Sequence, residues 1–253
     1  MTLQIQPHLR LGEKEKADYA LLPGDPGRVG RVKDFLDHAR EIACCREYRT
    51  LCGYYKGVRV LVTSTGIGGA STAIAVEELG RIGVRHLIRT GSCGALQKGI
   101  KTGELIIAAA AVRDEGASAA YVKQSYPAVP DARVFGALKK AAGRLNRKHH
   151  CGIVRSHDSF YTDEEKELSD YWAGKGILGS DMETATLFVV GGLRKIKTGS
   201  ILNVVVGPGE GTEAGVGDYA SESDRLMEGE RAGIRAALEA IVELSTSGAP
   251  GQL

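Results

Sequence analysis

The chain has 253 residues, 43% of them apolar and 25% charged, which is ordinary globular composition and long enough for one large α/β domain with its own core. A formal net charge of +2 excludes the strongly basic balance of a nucleic-acid or anionic-membrane binder, and no apolar run reaches the ~18–20 residues needed to cross a bilayer. Five cysteines (Cys44, Cys45, Cys52, Cys93, Cys151) without C-x-x-C spacing indicate neither a disulfide framework nor a zinc site, and "MTLQIQPHLRLGEKEK" has no apolar signal-peptide core. A cytoplasmic protein without a metal is expected.

Read in chain order, "YALLPG" (19–24) is a buried strand followed by the helical pattern "GRVGRVKDFLD". The strand "VRVLVTST" (58–65) then leads into the helix "ASTAIAVEELGRIG", and "RHLIRTGS" (85–92) and "GELIIAAAAVR" (103–113) are two further strands. "AVPDAR" (128–133) is polar enough for a surface excursion before the helix "ARVFGALKKAAGRLN" and the strand "CGIVRSH" (151–157). "YTDEEKELSDYWAGKG" (161–176) is either an active-site flap or a solvated helix. The helix "DMETATLFVVGGLRK", the strand "ILNVVVG" (201–207) and the helix "SDRLMEGERAGIRAALEAIVELS" complete the chain, with a frayed tail over about 246–253. Strands alternating with helices predict an α/β fold with a largely parallel sheet covered on both faces, in one domain over 1–253.

Glycine is the compositional outlier, with 34 residues, about twice its average share. Three glycine-rich corners follow strands: "LLPGDPGRV", "TSTGIGGAST" and "IRTGSCGALQ". Ligands of open α/β sheets bind at such places, where backbone N–H groups approach an anion closely. The second corner is not a dinucleotide fingerprint. Gly66 and Gly68 fit G-x-G-x-x-G, but Ser71 holds the third position and the next strand ends in Arg89 instead of an acid. A Walker A loop is also absent.

Arginine recurs beside these glycines: Arg28 after Gly24, and Arg89 before Gly91, Ser92 and Gly94. Guanidinium forks, a hydroxyl and open backbone amides suit phosphate or another tetrahedral oxyanion. Arg28 by itself reads as a solvated first-turn residue. Arg89 sits inside an apolar strand, where an unpaired charge costs several kcal/mol, and so requires an anionic partner. In "GSDMETATLFVVGG", Asp181 and Glu183 precede an apolar helix as cap and first-turn acid, or as carboxylates accepting from a sugar diol with Met182 as an apolar ribose contact.

In sequence order these motifs resemble the nucleoside phosphorylase-I family, which contains uridine phosphorylases and hexameric-type purine nucleoside phosphorylases. The likeness runs from "LLPGDPGRV" through "REYRT", "STGIGGASTAIAVEEL", "IRTGSCGALQ" and "VRDEGAS" to "DMETATLF". It implies a mixed, barrel-like central sheet flanked by helices, and dimers or hexamers that share active sites. The phosphate ligands it implies are Gly24, Arg28, Arg89 and Ser92, with Arg46 of the neighbouring subunit. It gives ribose to Met182, Glu183 and a partner's His8, and the base to Phe160, Cys93 and Gly94. The implied chemistry is phosphorolysis: inorganic phosphate, the co-substrate, attacks C1′ to release base and (deoxy)ribose 1-phosphate. Arg89 and Glu183 would be the catalytic pair, with no further cofactor.

Base recognition departs from both branches. Glu164 and Lys166 stand where uridine phosphorylases carry a glutamine and an arginine, and Val205 stands where purine enzymes of the apicomplexan type carry an aspartate. Asp181 replaces a glutamate. The corner and "VRDEGAS" resemble uridine phosphorylases most, whereas the short linker before "DMETATLFVVGGLRKIKTG" resembles the apicomplexan purine enzymes; uridine is the expected substrate, with a base contact from Glu164 or Lys166, and inosine or guanosine the alternative. A water-using nucleosidase and a non-catalytic nucleoside-binding homologue are the remaining readings. Retention of the arginines argues against both.

Overall fold

The computed structural model describes residues 5–209 and 224–247. Its nine strands form one sheet in the order β2-β3-β4-β1-β5-β8-β7-β6-β9, and a further β5–β9 pairing closes the last five into a ring. The strands are β1 (Tyr19–Leu22), β2 (Asp37–Cys45), β3 (Tyr48–Tyr55), β4 (Val58–Thr63), β5 (His86–Ala95), β6 (Leu105–Asp114), β7 (His149–His157), β8 (Gly179–Asp181) and β9 (Lys197–Val206). The helices are α1 (Pro26–Val32), α2 (Gly69–Arg81), α3 (Ala132–Arg144), α4 (Glu165–Ala173), α5 (Thr184–Leu193) and α6 (Asp224–Ser247).

The barrel-like mixed sheet implied by the family resemblance is present, whereas the largely parallel sheet expected from the alternation of elements is not. β1 runs parallel to β4 and β5, β5 to β9, and β7 to β6 and β8, but β2–β3, β3–β4, β5–β8 and β6–β9 are antiparallel. Two hairpins account for part of the difference. Lys56 and Gly57, both at positive φ (48° and 81°), turn β3 into β4 as a primed two-residue turn requires. β2 is mostly exposed or half-buried along its length, so it lacks the apolar run by which its neighbours are recognised.

Strand alternation sorts the core. Leu22, Leu87, Ile106 and Leu202 pack with Val76 and Leu79 of α2 and Leu187–Val190 of α5. Their neighbours Leu21, Ile88, Leu105 and Ile201 pack with Val134 and Leu138 of α3 and Ile234, Leu238 and Ile241 of α6. Successive side chains leave a strand on opposite faces, so these runs are apolar without interruption because both faces are covered. α6 reaches Ser247, so Thr246 and Ser247 of the expected tail are helical, and 248–253 lie outside the described residues. The "AVPDAR" segment lies at the surface as expected, with Val129 exposed, apart from Ala128, which is buried and bridged to Ala111; Asp131 caps α3.

Candidate active site

The three glycine corners converge. The segment after β1 turns at Gly24 into α1, where Asp25 caps the helix by accepting from the N–H groups of Gly27 (2.7 Å) and Arg28 (3.0 Å) and Pro26 takes the first helical position. This cap directs Arg28 inward. Its Nη1 donates to the Thr90 carbonyl (2.7 Å), Nη2 to Ser92 Oγ (2.7 Å) and Nε to Glu230 on α6 (2.8 Å). Arg28 is therefore 3% exposed, and the solvated first-turn reading does not hold.

Arg89, on β5, has the anionic partners its burial demands. Nε donates to Asp181 Oδ2 (3.0 Å) and Nη2 meets Glu183 Oε2 (2.6 Å). Burial opposes its charge, but Glu183 and then Asp181 outweigh it and hold the guanidinium above its ordinary pKa. Nη1 is buried and has no hydrogen-bond partner among the described residues. A side chain at Gly24 would lie 3.8 Å from that nitrogen, so Nη1 faces the bare backbone of the first corner. Gly91 makes the conformation possible, because a Cβ there would sit 2.5 Å from Arg89 Cζ.

The two carboxylates divide their work. Asp181 is spent inside the protein, accepting from Ser156 Oγ (2.6 Å), Thr184 Oγ1 (2.5 Å) and Thr184 N (3.1 Å) as well as Arg89. It is the anchor of Arg89 and α5. Glu183 lines the cavity and accepts from the N–H of Gly68 (2.7 Å), the amide at the start of α2 that has no side-chain cap. Gly66 and Gly68 have positive φ (72° and 96°), and this conformation brings the corner to Glu183. Burial pushes the Glu183 carboxyl above the usual range, Arg89 draws it back, and Asp181 adds to the rise.

These groups line a cavity of about 1310 Å³. It brings together Gly24, Arg28, Arg89 and Ser92 on one side, Met182 and Glu183 beside them, and Cys93, Gly94 and Phe160 further along, with Lys166 at its rim. Cys93 is buried and its thiol is driven upward by that burial, so it is a neutral wall and not a nucleophile. His157 also lines the cavity, and burial followed by Arg155 lowers its pKa, leaving a neutral imidazole. Residues of α4, Leu168, Ser169 and Ala173, form part of the wall, so the 161–176 segment covers the site and is more than a solvated helix.

Three expected residues lie outside the cavity of their own chain. His8 donates from Nδ1 to Glu78 (2.7 Å), and Arg46 is exposed in the β2–β3 turn with φ 55°. Glu164 is exposed at the start of α4, and the Lys166 ammonium is paired with Asp170 (2.5 Å). Sequence reading did not single out Glu230, which holds both Arg28 and Arg31 (2.6 Å) while 3% exposed. A signal was present: Glu230 falls on the buried stripe of α6 with Met227, Ile234, Ala237 and Ile241, where a charge demands a partner.

Comparison with known proteins gives the family of the chain. A family model described as the phosphorylase superfamily matches residues 18–242. A uridine phosphorylase from Thermococcus kodakarensis is 43% identical, covering 91% of each chain. A guanosine phosphorylase from Halorubrum lacusprofundi is 36% identical over 94% of this chain and 99% of its own. The crystal structure of uridine phosphorylase from Vibrio fischeri superposes with a TM-score of 0.88 at 44% identity, covering 96% of this chain and 99% of that one.

Proposed function

This chain belongs to the phosphorylase superfamily, and we propose that its cavity cleaves the N-glycosidic bond of nucleosides with inorganic phosphate, with uridine the favoured substrate. The observation that carries the reading is the position of Arg89. It joins the arginine–glycine corner to Glu183 while keeping one buried donor unpaired. A phosphate held by that donor, Gly24, Arg28 and Ser92 lies next to the carboxylate that orients the sugar, with Met182 against the ribose.

The phosphate oxygen attacks C1′ as the C1′–N bond breaks, and the base leaves with the bonding electron pair. Positive charge gathers on the ribose ring and is stabilised by the phosphate itself and by Glu183, which fixes the sugar hydroxyls. The catalytic contributions are positioning and preorganised charge, not a protein nucleophile. Phosphate is the co-substrate. The base rests against Cys93, Gly94 and Phe160, and Glu164 or Lys166 reaches it only if α4 shifts. Replacing Arg89 by Ala tests the assignment: phosphate-dependent cleavage of uridine should be lost, and near-normal activity would remove it.

A homodimer, free or within a hexamer, completes the site with His8 and Arg46 of the partner subunit. Their exclusion from their own cavity supports this, as does Ile67, 79% exposed at the glycine corner that lines it. A single phosphorylase domain in the cytoplasm fits five cysteines that are all free. No helix among the described residues is long and apolar enough to cross a membrane.

A further inference from the structure

We infer that Glu230 of α6 is a positioning residue for inorganic phosphate: its carboxylate braces Arg28, and Arg28 in turn sets the Ser92 hydroxyl as a donor to the phosphate. The inference rests on the phosphate reading above and extends it to a helix behind the cavity wall. Glu230 is 3% exposed and lies outside the cavity lining, so whatever it contributes passes through its partners.

A single carboxylate engages two arginines. Oε2 accepts from Arg28 Nε (2.8 Å) and from Arg31 Nη2 (3.1 Å), and Oε1 accepts from Arg31 Nε (2.6 Å). Arg28 and Arg31 project from the same face of α1, where two guanidinium groups repel. Glu230 lies between them and offsets that repulsion. The Arg31 side chain is 30% exposed and keeps access to water, whereas that of Arg28 is 4% exposed and requires a fixed counter-charge.

The bracing reaches the backbone of Arg28 as well as its side chain. Arg31 Nη2 also donates to Asp25 Oδ2 (3.1 Å), the oxygen that accepts from the Arg28 N–H (3.0 Å) at the start of α1. Glu230, Arg31, Asp25 and Arg28 thus close a ring that holds Arg28 at both ends. The helix that carries the carboxylate is itself fixed. Asn203 Nδ2 on β9 donates to the Leu226 carbonyl (2.9 Å), and a Cβ at Gly229 would collide with Asn203 Oδ1 and lie 2.8 Å from the Gly103 carbonyl oxygen. The bare backbone at Gly229 lets α6 close on β9, and Glu230 is the next residue.

At the far end of the guanidinium the consequence is chemical. With Nε on Glu230, Nη1 is aimed at the Thr90 carbonyl (2.7 Å) and Nη2 at Ser92 Oγ (2.7 Å). A hydroxyl that accepts from a guanidinium turns its own proton elsewhere. Ser92 lines the cavity with Arg89, whose buried Nη1 has no partner among the described residues, so the Ser92 proton is available to the same oxyanion. Loss of the Glu230 contact frees the guanidinium to leave both acceptors, and Ser92 is no longer set as a donor.

The test is steady-state kinetics of uridine phosphorolysis, with each substrate varied in turn, in the wild type, Glu230→Gln and Glu239→Gln. Neither Michaelis constant depends on the folded fraction. In Glu230→Gln the amide offers an uncharged acceptor to one arginine and an N–H to the other. The KM for phosphate should rise about tenfold while that for uridine stays within about twofold. Glu239, further along α6, accepts from Tyr55 (2.7 Å) and Lys56 (2.6 Å), and its replacement should leave both constants unchanged. Should Glu230→Gln not fold, Glu230→Asp keeps the charge but draws the carboxylate back from the arginines, and should raise the phosphate KM about threefold or more with that for uridine unaltered. An unchanged KM for phosphate, an equal rise for both substrates, or the same rise in Glu239→Gln overturns the inference, while phosphate-dependent cleavage by the wild type leaves the proposed function standing. Absence of phosphate-dependent cleavage in the wild type removes the proposed function and this inference with it.

Discussion

Truncating Asp181 to Ala separates an anchoring carboxylate from a ribose ligand. The side chain is fully buried and accepts from Ser156, from the backbone and hydroxyl of Thr184, and from Arg89. Removing one partner of a buried ion pair costs about 3–5 kcal/mol. Glu183 stays 2.6 Å from Arg89 Nη2 and compensates part of the charge, which places the loss near the lower end, about 3 kcal/mol. For a domain of this size each kcal/mol lowers the melting temperature by about 2–4 °C, so calorimetry should show a fall of roughly 6–12 °C. Steady-state kinetics on the fraction still folded should show kcat/KM reduced about 100-fold, because a guanidinium displaced by 1 Å misplaces the phosphate it holds. A melting temperature within about 2 °C of wild type, with a raised KM for nucleoside only, would refute the anchoring role and return Asp181 to the sugar.

Two further outcomes follow from the same geometry. Gly91→Ala inserts a methyl group 2.5 Å from Arg89 Cζ and 2.7 Å from Leu202 Cδ2, so it should destabilise by about 1–3 kcal/mol and raise the KM for phosphate about tenfold. An unaltered phosphate KM would show that Arg89 does not need that space. Burial lowers the pKa of both His86 and His157 below the ordinary 6.5, so below about pH 6.5 the unfolded chain binds more protons than the folded one. Their contribution is complete above that pH and is lost as the pH falls through the folded values. Denaturant titrations at pH 7.5, 6.5 and 5.5 should show stability decreasing, and His157→Gln should flatten the trend; an equally steep variant would mean that His157 is not excluded from its charged form.

Where a strand carries an apolar run and a helix carries a cap, the sequence was legible. Asp25-Pro26 and Asp131 start helices, and β1, β5, β6 and β9 announce themselves because both faces are buried. β2 was not legible, since an exposed strand at the sheet margin has no such run, and β8, three residues long, has too little length for any periodicity. The antiparallel pairings depend on hairpins and on ring closure, which are tertiary and leave no periodic trace. Within the site, a charge in an apolar strand was enough to single out Arg89. The same rule applied to Glu230, on the apolar stripe of α6, would have found it. What the sequence could not give was the division between Asp181 and Glu183, because the donors that claim Asp181, at the end of β8, come from β7 and β5 as well as from Thr184 of α5.

The central claim is that the arginine–glycine corner exists to hold a phosphate that becomes part of the product. It is tested most directly by incubating the wild-type protein with uridine, with and without inorganic phosphate, and following ribose 1-phosphate by 31P NMR alongside free uracil. Uracil release should require phosphate and should be matched mole for mole by ribose 1-phosphate. Uracil release at the same rate without phosphate, with free ribose as the other product, would contradict the account.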